Sequence, residues 1–318
     1  MLCRSEVGHN HGTVKMHIIS FASDADPRRT TQVWLLEPTR LTHNGPRTRG
    51  NLTLMFSEYL ERWKLTPDGE VIATPTSRLL PVRWRGTAAM LKIAVSQEER
   101  LGGLLMVWWI GKGAARVLAH EGDAILMERA ERGPSLAYNA RNGADDEASR
   151  AMCAVLAQLH APRNPPSPAL IPLTEWFDAL WPAAEMHGGV LRVAAETAAD
   201  LLATQRDVVV LHGDMHHENV LRFSSRGWLA IDPKGLVGER GFDYANIFCN
   251  PDSETATMPG RLVRQTRVVA EAAGLERSRL LAWILAWAGL SAAFSFEDGA
   301  SASCALRIAE LAAAELGR

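Results

Sequence analysis

The chain of 318 residues balances 34 Lys and Arg against 36 Asp and Glu, with 47% apolar and 22% charged residues. That balance argues against a disordered or fibrous polymer and leaves no basic excess for sequence-independent nucleic-acid binding. Its four cysteines, Cys3, Cys153, Cys249 and Cys304, form no CxxC pair; with no basic leader ahead of an apolar stretch, they point to a reducing cytoplasm.

Residues 1–54 hold "HNHG", "DADPRRTT" and "THNGPRTRGNLT", rich in turn formers and arginine with no sustained apolar period. They are predicted to be a flexible extension or an upstream-start artefact, folded protein beginning at Met55 with "MFSEYLERWKL". "SRLLPVRW" and "AAMLKIA" then predict a hairpin across Arg85-Gly86-Thr87, with Pro81 placing the first strand near a sheet edge. Ser96 and Glu99 have capping-box spacing at the start of a helix. "GDAILMERA" predicts one more strand, running into a connector near Met127 to Gly133.

Beyond Arg132 the pattern turns helical, through "DDEASRAMCAVLAQLHA" and "LTEWFDALW", and again from Pro259 to the end. Leu280 to Phe296 carries no charge, but it is slightly short for a bilayer span and reads as a helix buried on most sides. The expectation is an α+β protein with a small β-rich lobe over residues 55–130 and a larger helical lobe over 131–318.

Between these helices lies "VVVLHGDMHHENVLRFSSRGWLAIDP", residues 208–233. Counting Val220–Phe223 as a strand, Ser224–Gly227 as a turn and Trp228–Ile231 as the returning strand sets Asn219 opposite Asp232. Residues so opposed have β-carbons about 5 Å apart. An amide oxygen and a carboxylate meeting there suit Mg²⁺, which takes few protein ligands and completes its shell with water and phosphate. Asp214, in the loop entering the hairpin, is placed to reach a substrate hydroxyl beside the ion. His212, His216 and His217 could instead belong to a binuclear metallophosphoesterase, but no separate D-x-H or G-N-H-[DE] segment supplies its other half. His212 is therefore expected to brace the loop, and His216 and His217 to orient neighbours or face substrate.

"HGDMHHEN" followed by "IDP" resembles the catalytic and metal-binding loops of the aminoglycoside phosphotransferases, in the branch of streptomycin 6-phosphotransferases and hydroxyurea kinases. "GAARVL", "RGWLAIDPKGLVGERGFDYANIF" and "WAGLSAA" extend the likeness from about Phe56 onward. The resemblance implies a two-lobed protein-kinase-like fold, ATP and Mg²⁺ as cofactors, and a cationic aminoglycoside such as streptomycin as small-molecule partner, with no nucleic acid or membrane. It implies Asp214 as the hydroxyl-orienting base, Asn219 and Asp232 as metal ligands, and Lys92 as the phosphate-contacting lysine.

Glu99, rather than Glu98, would pair with Lys92, although its capping-box role competes. The backbone of Met127, Glu128 and Ala130 would meet adenine. No GxGxxG is present; "ATPTSR" offers Thr76 and Ser77 to phosphate instead. Asp243 would brace the catalytic loop, and Lys234 departs from the expected pattern. Trp176, Trp181, Trp283 and Trp287 with Glu175, Asp178, Glu297 and Asp298 are candidates for lining a cationic-sugar pocket. Another small alcohol, hydroxyurea, or a nucleotide-binding pseudokinase are the alternatives, the last opposed by the joint presence of Lys92, Asp214, Asn219 and Asp232.

Overall fold

A computed structural model describes residues 47–164 and 166–318, with side chains described from Met55 onward. Helix α1 (Arg47–Arg62) starts eight residues before Met55, so the boundary expected at residue 54 falls inside a helix. The rest of that expected extension, residues 1–46, lies outside the described residues. Phe56, 1% exposed, anchors α1 to the N-lobe core.

The N-lobe continues with β1 (Leu65–Pro67), β2 (Ile72–Ala73), β3 (Ser77–Trp84), β4 (Thr87–Ala94), α2 (Gln97–Trp109), β5 (Val117–Glu121) and β6 (Ala124–Glu128). The strands form one antiparallel sheet in the order β1-β3-β4-β6-β5, with β2 beside β3. The β3–β4 turn is tighter than predicted: Trp84 pairs with Thr87, leaving only Arg85 and Gly86 at the tip, both with positive φ. That is the backbone a two-residue hairpin of this twist needs. Nor is β3 an edge strand. Pro81 falls between the stretches paired with β1 and β2, where its missing N–H breaks no ladder bond on that side.

Alternation along β4 separates two faces. Ala89, Leu91 and Ile93 enter the N-lobe core with Leu80, Val82 and Leu126, and Lys92 projects to the opposite face. Ser96 caps α2 by accepting the Glu99 N–H at 3.2 Å.

The C-lobe comprises α3 (Leu136–Arg141), α4 (Asp145–Leu159), β7 (Ile171–Pro172), α5 (Leu173–Trp176), α6 (Leu180–His187), α7 (Val190–Ala203), β8 (Val208–Leu211), β9 (Val220–Phe223), β10 (Gly227–Ala230), β11 (Leu236–Glu239), α8 (Gly241–Ala245), α9 (Ser253–Ala256), α10 (Arg261–Ala273), α11 (Arg277–Glu297) and α12 (Ser303–Leu316). The uncharged run identified in the sequence forms most of α11, whose Leu281, Trp283, Ile284, Leu285 and Ala288 are buried in the C-lobe core. By length and hydropathy this helix could cross a membrane, but 61% of its apolar window is covered by the rest of the molecule. At its start Arg279 pairs with the nearly buried Glu239, which also accepts the Trp283 indole N–H at 2.8 Å.

The lobes are joined by backbone as well as by core. Ala115 donates to Ala230 O and Ala230 donates to Gly113 O, each at 2.9 Å, laying the α2–β5 loop beside β10. Gly113 has φ +79°, and a β-carbon there would press on Gln158 and Leu159 at 2.9 Å, so glycine is required. Past β6, Glu131 donates its N–H to Arg222 O at 2.8 Å. Arg226, at the β9–β10 tip, pairs with Glu128 and Gly111 O.

Candidate active site

The β9–β10 register corrects the count made from the sequence. Gly227 belongs to the strand and pairs with Phe223, so the turn is the three-residue 3₁₀ segment Ser224–Arg226. Asn219 therefore lies opposite Ile231, whose N–H it accepts at 2.9 Å, and not opposite Asp232. Asp232 is one position beyond the ladder with φ +63°. Aspartate tolerates this left-handed backbone better than most residues, and the conformation frees its carboxylate from strand alternation.

That carboxylate meets Lys92 from β4, and Lys92 also meets Glu99 from α2. Glu99 thus does both things weighed from the sequence: its backbone completes the Ser96 cap while its side chain holds Lys92. It also accepts the Thr76 hydroxyl at 2.8 Å. Burial opposes the charge on Lys92, but Asp232 and Glu99 outweigh it and raise its pKa. Loss of solvent would likewise raise the Asp232 carboxyl, whereas Lys92 and Lys234 hold it below the ordinary range. Lys234 pairs with Glu98 at 2.7 Å.

Asp214 is fixed from three sides. Its Oδ1 accepts from Asn246 Nδ2 at 2.8 Å. Asn219 Nδ2 donates to the Asp214 carbonyl at 2.9 Å and approaches Oδ2 at 3.4 Å. His216 Nε2 stands 3.8 Å from Oδ2. Because the Asn219 nitrogen is engaged by Asp214, its amide oxygen is the end directed elsewhere. Asn250 donates to Asn246 Oδ1 at 2.8 Å, steadying that contact in turn.

Asp243 braces the loop as expected. Its carboxylate accepts the N–H groups of His212 at 2.8 Å and Gly213 at 2.7 Å, and faces His160 Nε2 at 2.8 Å. His212, buried against Trp109, reaches Ile231 O at 2.8 Å through Nε2, tying the catalytic loop to the residue before Asp232.

Other expected residues are placed differently. Ser77 is buried, with its N–H and hydroxyl both engaged by Thr74 Oγ1 at 2.9 Å, so it does not offer them to phosphate. His217 is fully buried and neither ring nitrogen has a hydrogen-bond partner, so it neither orients a polar neighbour nor faces substrate. Burial, aided by Arg261, keeps it neutral. Met127 and Glu128 close β6, and the Glu128 N–H is engaged by Arg116 O at 3.0 Å; Ala130 lies beyond the strand. Trp283 is a core residue, while Trp176 meets Phe294 edge to face at 5.8 Å. Among the described residues no group of three or more His, Cys, Asp or Glu could hold a metal ion.

Asn246 was not singled out from the sequence. Its signal was its position three residues after Asp243, which places both on one face of the same helical turn.

A β-sheet lobe whose buried lysine is held by a helix glutamate, above a loop that fixes one aspartate and leads to a second, defines the kinase-like phosphotransferases. The aminoglycoside/hydroxyurea antibiotic resistance kinase family matches residues 62–299, and the chain belongs to it. It is 52% identical over 245 residues to a streptomycin 3''-kinase of Klebsiella pneumoniae, covering 76% of this chain and 92% of that one. Identity to a streptomycin 6-kinase of Streptomyces griseus is 33% over 276 residues, covering 81% and 87%. Among solved structures, a thermostable mutant of aminoglycoside phosphotransferase APH(4)-Ia in complex with ADP and hygromycin B superposes with a TM-score of 0.56 at 16% identity, covering 80% and 96%.

Proposed function

We propose that the chain transfers the γ-phosphoryl group of ATP to the 3''-hydroxyl of streptomycin in the cytoplasm, inactivating the antibiotic. The observation that carries the position is the 52% identity to a 3''-kinase, against 33% to a 6-kinase.

Asp214 orients the acceptor hydroxyl and takes its proton. Asn246 holds Oδ1 firmly at 2.8 Å, while Oδ2, with only the longer contacts to Asn219 and His216, is the oxygen for the substrate. Lys92 binds phosphate oxygens, with Glu99 keeping it extended from β4. The backbone around Met127, Glu128 and Ala130 borders the adenine.

The Asn219 amide oxygen and the Asp232 carboxylate fit Mg²⁺: they are hard oxygen donors, few in number, and Asp232 is held ionised. When bound, the ion neutralises charge on the β- and γ-phosphates. Positioning and fixed charge supply most of the rate.

For a polycationic sugar, Glu175 and Asp178 flank Trp176, and Glu297 and Asp298 follow Phe294, the ring that Trp176 meets. These four exposed acids and two rings form the proposed sugar contact.

Incubation with ATP, Mg²⁺ and streptomycin tests the reading, with mass spectrometry of the product and phosphorus–proton NMR to locate the phosphate. A phosphate on the 6-hydroxyl refutes the position. Unmodified streptomycin beside phosphorylated hydroxyurea favours the other activity in the family's description.

A further inference from the structure

Lys234 stands where the two halves of the site meet. Its N–H donates to His212 O at 2.7 Å, so the Asp232-Pro233-Lys234 segment runs against the catalytic loop. A β-carbon built on Gly213 would lie 2.9 Å from Lys234 Cβ, which sets the lysine stem over the residue just before Asp214. The ammonium ends on Glu98 at 2.7 Å, and the two side chains are only 21% and 19% exposed.

Four carboxylates, Asp214, Asp232, Glu98 and Glu99, therefore share two ammonium groups. Lys92 is held from two sides, by Glu99 and Asp232. Among the described residues Lys234 has one ion pair, to the first turn of α2, on a flexible four-carbon stem that begins beside Asp214. Lys92 is placed for the phosphates near Asp232, and the stem of Lys234 is anchored over the loop where the acceptor arrives.

We propose that Lys234 is a second phosphate-binding lysine, which leaves Glu98 to hold the γ-phosphoryl oxygens as they pass to the hydroxyl at Asp214. The inference rests on the ATP-dependent transfer proposed above. In that step the acceptor oxygen bonds to the γ-phosphorus and the bond from phosphorus to the β,γ-bridging oxygen breaks. Its electron pair leaves with ADP, and the hydroxyl proton goes to Asp214. Lys234 exchanges no proton; it counters charge spread over the transferred group's outer oxygens.

A merely structural Lys234 would be a strut between α2 and the metal loop, and calorimetry separates the two roles. ADP and the non-hydrolysable analogue AMP-PNP are titrated, with Mg²⁺, into wild type, Lys234→Met and Glu98→Gln. Lys234→Met is expected to bind ADP as wild type does and AMP-PNP about 10- to 100-fold more weakly, the loss of one charge-assisted hydrogen bond. Glu98→Gln, which releases the lysine, is expected to keep the wild-type preference for AMP-PNP.

If both variants weaken both nucleotides alike, Lys234 is a strut and the proposal is overturned. It is equally overturned if Lys234→Met keeps the wild-type preference. Wild-type protein that binds no nucleotide overturns the ATP reading and this inference with it, whereas normal wild-type binding beside an unaltered variant overturns this inference alone. Lys234→Gln, which keeps a donor toward Glu98, replaces methionine if that variant does not fold, with the same expectation.

Discussion

Two adjacent glycines in α2 predict opposite outcomes for the same substitution. A β-carbon at Gly102 would fall well inside 3.0 Å of Pro233 O, a backbone atom that cannot rotate away, whereas one at Gly103 would meet Ile125 Cγ2 at an ordinary 3.6 Å. In Gly102→Ala, α2 or the Asp232-Pro233-Lys234 segment must move by about 1 Å to restore contact distance. Such overpacking costs about 1–3 kcal/mol, partly offset by the ~1 kcal/mol helix preference of alanine.

The larger effect falls on the chemistry. Glu99 is one turn before Gly102 and holds Lys92, while Pro233 follows Asp232. The displaced pair thus includes the anchor of Lys92, the proposed phosphate lysine, and Asp232, the proposed metal ligand, and misplacement of about 1 Å costs on the order of 100-fold in rate. Gly103→Ala is expected to retain wild-type turnover and gain about 0.5–1 kcal/mol. Steady-state kinetics with ATP and streptomycin, beside urea denaturation, measure both. Wild-type kcat/KM in Gly102→Ala would refute the claim that close α2 docking sets the site.

Asp214→Asn should fold and bind nucleotide as wild type does while losing about 100-fold or more in kcat, because the carboxylate that takes the hydroxyl proton is gone; an amide variant with normal turnover rules Asp214 out as base. Asp232→Ala should abolish Mg²⁺-dependent tightening of AMP-PNP binding and Asn219→Ala should weaken it, both followed by calorimetry; a Mg²⁺ response that survives in both places the ion elsewhere. Glu239→Gln should destabilise the protein by about 3 kcal/mol at neutral pH, since the partly buried Arg279 loses its counter-charge. Burial would raise the Glu239 pKa, but bonds from Arg279, Trp283 and the Arg206 N–H keep it below the ordinary 4.5. The pair's stabilisation is therefore complete above pH 4.5 and is lost as pH falls through the lower folded value. Wild type and variant should converge on acidification in denaturant titrations, and a gap that stays constant with pH would contradict the assignment.

The strands around Lys92 and the core helix α11 were legible because alternation and apolar length are local properties of the chain. The Asp214 and Asp232 loops were legible through their motif. The step from Asn219 to Asp232 was not, because it depends on whether Gly227 counts as turn or strand, and a single position moves every pairing beyond it. Ser77 misled because a hydroxyl in a turn looks the same in sequence whether it faces phosphate or caps its own loop through Thr74. His217 could not be placed from sequence, since the charged groups that act on it, Arg141, Asp252 and Arg261, come from distant parts of the chain. The Glu98–Lys234 pair joins residues 136 positions apart, and no local pattern announces it.

The backbone bonds of Gly113 and Ala115 to Ala230, and of Glu131 to Arg222, restrict how the cleft can breathe. A rigid opening that keeps them turns about the seam between the α2–β5 loop and the catalytic hairpin. Points move in proportion to their distance from that axis. Asp232, two residues from Ala230, would travel little. Such an opening would part the two lobes while Asp232 keeps its alignment with Asp214, since both aspartates lie on the hairpin side of the seam.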